Sequence, residues 1–176
     1  IDDQLNEEAE KLNAVLLIVG SRADHDRGIF GSSTTSIVQH ATHPVLAVPE
    51  GYTCTAPRVA VLATDLSPMS EGVLSNLRSI VHALSLELHL VHVVAEDRGE
   101  SHEELMNSLG SLRADFKTII SKDLSDGIEA YTKELSADLV ITLPHSRSWL
   151  EGLFMKKHTK ELVTELHLPL LCIPEG

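Results

Sequence analysis

The segment Pro44-Val-Leu-Ala-Val-Pro-Glu-Gly51 returns at the other end of the chain as Pro169-Leu-Leu-Cys-Ile-Pro-Glu-Gly176. A chain that repeats itself must build one structural unit twice, and this constrains the fold more than composition does. Further back the match continues: Thr34, Ile37 and Val38 meet Thr159, Leu162 and Val163. After a two-residue change of offset, Ala14-Val-Leu-Leu-Ile-Val19 meets Ala137-Asp-Leu-Val-Ile-Thr142, and Ile1, Leu5 and Leu12 meet Leu124, Ile128 and Leu135. Upstream of Leu124 the second copy has a further segment, Pro57 to Asp123, with no counterpart in the first. The expectation is a partial first unit over 1–51, a linker over 52–57 and a complete second unit over 58–176. Because the first residue is Ile, the chain reads as the C-terminal part of a longer protein. A partner supplying the missing strands is the alternative.

In the complete copy, apolar strands alternate with segments of helical spacing. Val59 to Thr64 is a short β-branched run, and Ser67 with Pro68 suits a helix start. Met69, Val73, Leu77, Ile80, Val81 and Leu84 follow on one helical face. Strands are expected at Leu86–Val94, Phe116–Ser121, Leu139–Leu143 and Leu170–Ile173. Helices are expected through Leu105, Leu109 and Leu112, over Leu124–Ser136, and through Leu162, Val163 and Leu166. Such alternation predicts right-handed crossovers and an α/β fold: a doubly wound parallel sheet with helices on both faces. Ligands of such sheets lie beyond the C-terminal strand ends, where strand order reverses. That points to Thr64–Ser67, to the loop after Val19 and to the loop after Leu143.

Composition narrows the partners. Of 176 residues, 14 are Lys or Arg and 26 are Asp or Glu, a formal charge of −12, which disfavours nucleic acid and anionic membrane surfaces. Aromatics are 3%, so the core is aliphatic. The longest apolar run, Ala14–Val19, is far short of the roughly 20 residues that span a bilayer, and no signal-peptide pattern opens the chain. The two cysteines, Cys54 and Cys172, make neither a disulfide scaffold nor a cysteine-rich zinc site, so a reducing cytoplasm is expected.

Around the loops a family resemblance emerges. Leu17-Ile-Val-Gly20-Ser21, then Gly31-Ser32-Ser33 leading into a helix and Pro44-Val-Leu-Ala-Val48, resembles the universal stress protein family. Its nucleotide-binding members carry G-x2-G-x9-G-[ST] between the fourth strand and the fourth helix. Val61-Leu-Ala-Thr64-Asp65-Leu-Ser67 resembles the family's first strand with its adenine-side Asp, and Leu88–Val94 its second strand. The resemblance implies a five-stranded sheet of order 3-2-1-4-5 in the second unit. It also implies pairing of modules through their last strands, within the chain or as a homodimer, and ATP or AMP binding in some members. On this basis Gly20, Ser21, Gly31, Ser32 and Ser33 are the expected phosphate-side residues of the first copy. Thr64, Asp65 and Val93 are the nucleotide-side positions of the second. Glycines let the backbone approach a phosphate, and free amides at a helix N-terminus donate to it.

Both copies depart from the family pattern. In the first, Ala23 replaces the second Gly and the loop to Gly31 is two residues short. In the second, Leu143, Ser146 and Lys156-Lys157 stand where the first Gly, the second Gly and the Gly-Ser would be. Trp149, Leu153 and Phe154 are expected to fold over the strand ends and close that site. An anion pocket of His145, Arg147, Lys156 and Lys157 is the competing reading. No HExxH, CxxC, GxxxxGK or GxSxG pattern occurs, so neither a metal site nor a catalytic residue is assigned. His89 and His92 are three apart on a strand and should point to opposite faces. Three functions compete: a nucleotide-sensing stress-response module without turnover, a purely structural pairing module, and a weak ATP hydrolase using His25 and Asp26.

Overall fold

The computed structural model describes residues 2–21, 32–53, 56–143 and 168–175. Among them are five helices, α1 (Asp2–Lys11), α2 (Ser32–His40), α3 (Glu71–Leu84), α4 (Glu103–Leu109) and α5 (Leu124–Leu135), and seven strands. These are β1 (Leu17–Ser21), β2 (Val45–Pro49), β3 (Val59–Ala63), β4 (Glu87–Val94), β5 (Ala114–Ile120), β6 (Leu139–Thr142) and β7 (Leu170–Cys172).

The strands form one sheet in the order β1-β2-β7-β6-β3-β4-β5. Within it β5-β4-β3-β6-β7 reproduces the expected 3-2-1-4-5, and every neighbouring pair there is parallel. The expected pairing through last strands is seen within this chain: β1 and β2 continue the same sheet across an antiparallel junction of β2 with β7. Val45 faces Cys172, Leu46 faces Leu171 and Ala47 faces Leu170. All three β7 residues are buried, and a buried strand edge needs a partner for its N–H and C=O groups. The repeated motif itself supplies that partner.

Two apolar layers sandwich the sheet. Leu62, Leu88, Leu90 and Ile141 meet Val73, Leu74, Leu77 and Val81 of α3 with Leu105 and Leu109 of α4. On the other face Val45, Ala47, Val61, Val91 and Val140 meet Val38 of α2 with Ile128 and Tyr131 of α5. The helices are bounded by side-chain chemistry. Ser70 Oγ accepts the Val73 N–H at 3.3 Å, and Asp123 accepts from Ser125 and Asp126 at 2.9 and 3.2 Å. Three boundaries differ from the sequence reading. The α3 helix starts at Glu71 and not at Pro68, because Thr64 and Asp65 build successive turns on Leu66 and Ser67, and Leu66 takes a left-handed φ of 67°. The α4 helix stops at Leu109, where Gly110 adopts φ 64°, so Leu112 is buried outside it. Strand β5 runs from Ala114 to Ile120. The helix expected through Leu162, Val163 and Leu166 lies outside the described residues.

Entry into β3 is anchored by Asp138, whose carboxylate accepts the N–H groups of Arg58 at 2.8 Å and Val59 at 3.0 Å. Those backbone hydrogen bonds, first from Arg58 and then from Val59, hold its pKa below the ordinary carboxylate value. The bonus is therefore present above the unfolded carboxylate's titration and is lost as pH falls through the folded one. Asp138→Ala should lower the urea midpoint near neutrality, and its gap to wild type should narrow as pH falls toward about 3.

Strand β1 is one of the two edge strands of the sheet formed by the described residues. Ile18 and Ile141 occupy the same place in the repeat, yet Ile18 is 67% exposed and Ile141 0%. The difference is a neighbour: β3 lies beside β6, and the α3 layer covers Ile141. Ile18→Ala should change stability by less than about 0.5 kcal/mol in urea unfolding, the usual size of a surface effect. Ile141→Ala should cost about 2–5 kcal/mol.

Candidate functional site

The first place to consider is the C-terminal end of β1. Gly20 lies opposite Val48 and Ser21 opposite Pro49. Gly20 is exposed, and a Cβ built on it would meet nothing within 4 Å. Ser32 and Ser33 open α2, whose first amides have no intrahelical acceptor and stand at the positive end of the helix dipole. No acidic residue occupies that first turn. Gly31, Ala23, His25 and Asp26 lie outside the described residues.

The equivalent place in the second copy is different. Leu143, at the repeat position of Gly20, is 2% exposed and belongs to the apolar layer under α3. Thr64, just past β3, is buried and bonded on every side. Its N–H donates to Val91 O at 3.0 Å, its Oγ1 accepts the Leu66 N–H at 3.0 Å, and its carbonyl accepts His92 Nδ1–H at 2.9 Å. Asp65 is exposed, with Oδ1 accepting the Ser67 N–H at 3.0 Å. Val93 is half-buried, and its side chain packs toward α5. A Cβ on Gly127 would stand 2.5 Å from Val93 Cγ1. His145, Ser146, Arg147, Trp149, Leu153, Phe154, Lys156 and Lys157 lie outside the described residues.

The structure does not gather these residues into one site. Because β2 and β7 run antiparallel, the C-terminal ends of β1 and β3 point in opposite directions. Gly20 and Ser21 with the start of α2 form one group; Thr64 and Asp65 form another, at the other edge. The sequence reading missed two residues that shape the second group. Gly127 lets α5 sit on Val93, and a glycine inside a helical pattern was the available signal. His92 holds the Thr64 carbonyl, for which spacing offers no signal.

Other reactive side chains are engaged in structure. Burial raises the pKa of the Cys172 thiol, which is free and fully enclosed, so it stays protonated and poorly nucleophilic. His89 and His92 do face opposite sides of β4. His89 meets the edge of the Tyr131 ring on the α5 side, while His92 lies on the other. His40, in the last turn of α2, sits with Nδ1 2.9 Å from Ser36 O. Among the described residues no group of three or more His, Cys, Asp or Glu side chains could hold a metal ion. Among them also, no helix is long and apolar enough to cross a membrane.

Comparison with known proteins agrees with this architecture. Residues 1–49 match the universal stress protein family, so the likeness seen around Gly20 is a likeness to that family. No curated protein sequence matches the chain. A universal stress protein from Archaeoglobus fulgidus DSM 4304 superposes with a TM-score of 0.66, at 18% identity, over 99% of this chain and 66% of its own. A putative universal stress protein from Pseudomonas aeruginosa UCBPP-PA14 gives 0.59 at 14% identity, over 97% of this chain and 66% of its own. A functionally unknown protein from Pseudomonas aeruginosa PAO1 gives 0.59 at 12%, over 99% and 68%. The chain thus spans about two thirds of the length of these structures. It carries the universal stress protein fold, with the family's sequence pattern in its first 49 residues.

The tight seat of α5 is directly testable. Gly127→Ala should cost about 1–3 kcal/mol by overpacking against Val93. Combining it with Val93→Ala should recover much of that loss, a non-additive result readable from urea midpoints.

Proposed function

We propose that the chain is a tandem universal-stress-type module, divided as 1–51, a linker 52–57 and 58–176, that senses a nucleotide without turning it over. The end of β1 and the start of α2 hold the phosphates of ATP or AMP, through the backbone at Gly20, Ser21, Gly31, Ser32 and Ser33. One contrast carries this reading: the same repeat position is an exposed glycine with open space in the first copy and a buried leucine, Leu143, in the second. Phosphate needs main-chain donors that it can approach closely, and among the described residues the first copy offers open backbone at Gly20 where the second has the buried Leu143. The second copy is then a degenerate partner, in which Asp65 remains exposed but the strand end is filled. A stress-response role in the cytoplasm is part of the same proposal, supported by the family match and by the free thiol of Cys172.

A specific observation also favours a second reading, a module kept only for pairing. The junction of β2 with β7 would serve it without any ligand. Isothermal titration with ATP and with AMP separates the two. Nucleotide sensing predicts heat from wild type and none from Gly20→Val, with the melting temperature retained because valine suits an edge strand and meets nothing there. Absence of heat from wild type leaves the pairing function.

A further inference from the structure

We infer that His92 is a protonation-dependent latch that ties the loop after β4 to the turn after β3. The observation is the pair of atoms at its ring. Nδ1 lies 2.9 Å from the Thr64 carbonyl oxygen, and Nε2 lies 3.3 Å from Glu100 Oε2. Both neighbours are acceptors. A neutral imidazole has one N–H and one lone pair, so one of the two contacts would set lone pair against lone pair. The imidazolium donates from Nδ1 to the carbonyl and sets its charge beside Glu100, with Nε2 buried and making no hydrogen bond in this arrangement. The ring is 7% exposed, so water does not readily replace a lost partner.

The surroundings leave Glu100 as the partner that can respond. From β3 the ring meets the Thr64 carbonyl; from β5 its register neighbour is the uncharged Thr118. On α3, Arg78 pairs with Glu71. The acidic Glu103 and Glu104 of α4 are exposed, as are Glu96, Asp97 and Arg98 of the loop and Asp65 beyond Thr64. Among the described residues, Glu100 is the carboxylate paired with the ring. Residues 95–101 are exposed, and the Glu100–His92 pair is their one ionic or side-chain hydrogen-bonding link to the sheet among the described residues. The loop's far end is held separately, by His102 stacked on Phe116 at 4.0 Å and 12°.

Protonation of His92 therefore closes the loop against the Thr64–Ser67 turn. Loss of the proton leaves the Thr64 bond in place and removes the charge that attracts Glu100. The device is independent of whether the Gly20 crevice binds a nucleotide.

Amide hydrogen exchange of residues 95–101 in the intact chain tests this, at about pH 6 and about pH 8 with the intrinsic rate corrected. Protection in wild type should fall roughly threefold to tenfold at the higher pH, the range a half-exposed charged pair supports. Glu100→Gln should abolish the pH dependence, because the amide accepts from the imidazolium and donates to the neutral ring. Glu100 is half-exposed, so this variant keeps the fold. His89→Gln, on the opposite face, should leave the wild-type pH response intact. Equal protection at both pH values in wild type, or a pH response that survives in Glu100→Gln, overturns the latch.

Discussion

The antiparallel ladder between β2 and β7 is the interaction on which the rest of this molecule depends. Strand β7 is three residues long and buried throughout, and short strands hold their place only when both edges are paired. On one side β6 supplies a parallel ladder; on the other β2 supplies an antiparallel one. The two ladders weld a short β–α–β segment onto a complete doubly wound unit and make one continuous sheet with two apolar layers. Without the junction, β2 would lose the buried neighbour that β7 supplies.

The same junction decides where function can reside. An antiparallel seam in an otherwise parallel sheet sends the ligand-side ends of its two halves to opposite edges. The residues singled out around Gly20 and those around Asp65 therefore cannot share one bound molecule. They form two places with different chemistry. The first offers bare backbone and a helix start. The second offers a filled strand end, an exposed carboxylate and a strand-end carbonyl that His92 already engages.

Much of the fold was legible because it rests on periodicities that the chain displays openly. The recurrence of Pro-x-x-x-x-Pro-Glu-Gly, the β-branched runs and the 3.6-residue apolar spacing of α3 each report local or repeated structure. What was not legible lay at boundaries and in side-chain packing. Ser67–Pro68 offered a good helix start, but the side chains of Thr64 and Asp65 captured the next amides for turns, and the helix waited for Ser70. Val93 sat where the family resemblance places a ligand-facing residue, and its side chain is found beneath Gly127 of a helix more than thirty residues on. His92 read as a strand histidine. Its importance comes from a carbonyl on another strand and a carboxylate in a loop.

The sequence by itself determined the repeat, the alternation of strand and helix, the aliphatic core and the contrast of Gly20 with Leu143. All of these follow from residue identity and short-range spacing. Only the tertiary structure decided that the last strands pair within this one chain, that Ile18 is bare where Ile141 is covered, and that His92 stands between two acceptors. Burial and hydrogen-bond partnership belong to pairs of residues distant in the chain. No single stretch of sequence carries that information, because it arises when separate strands are laid side by side.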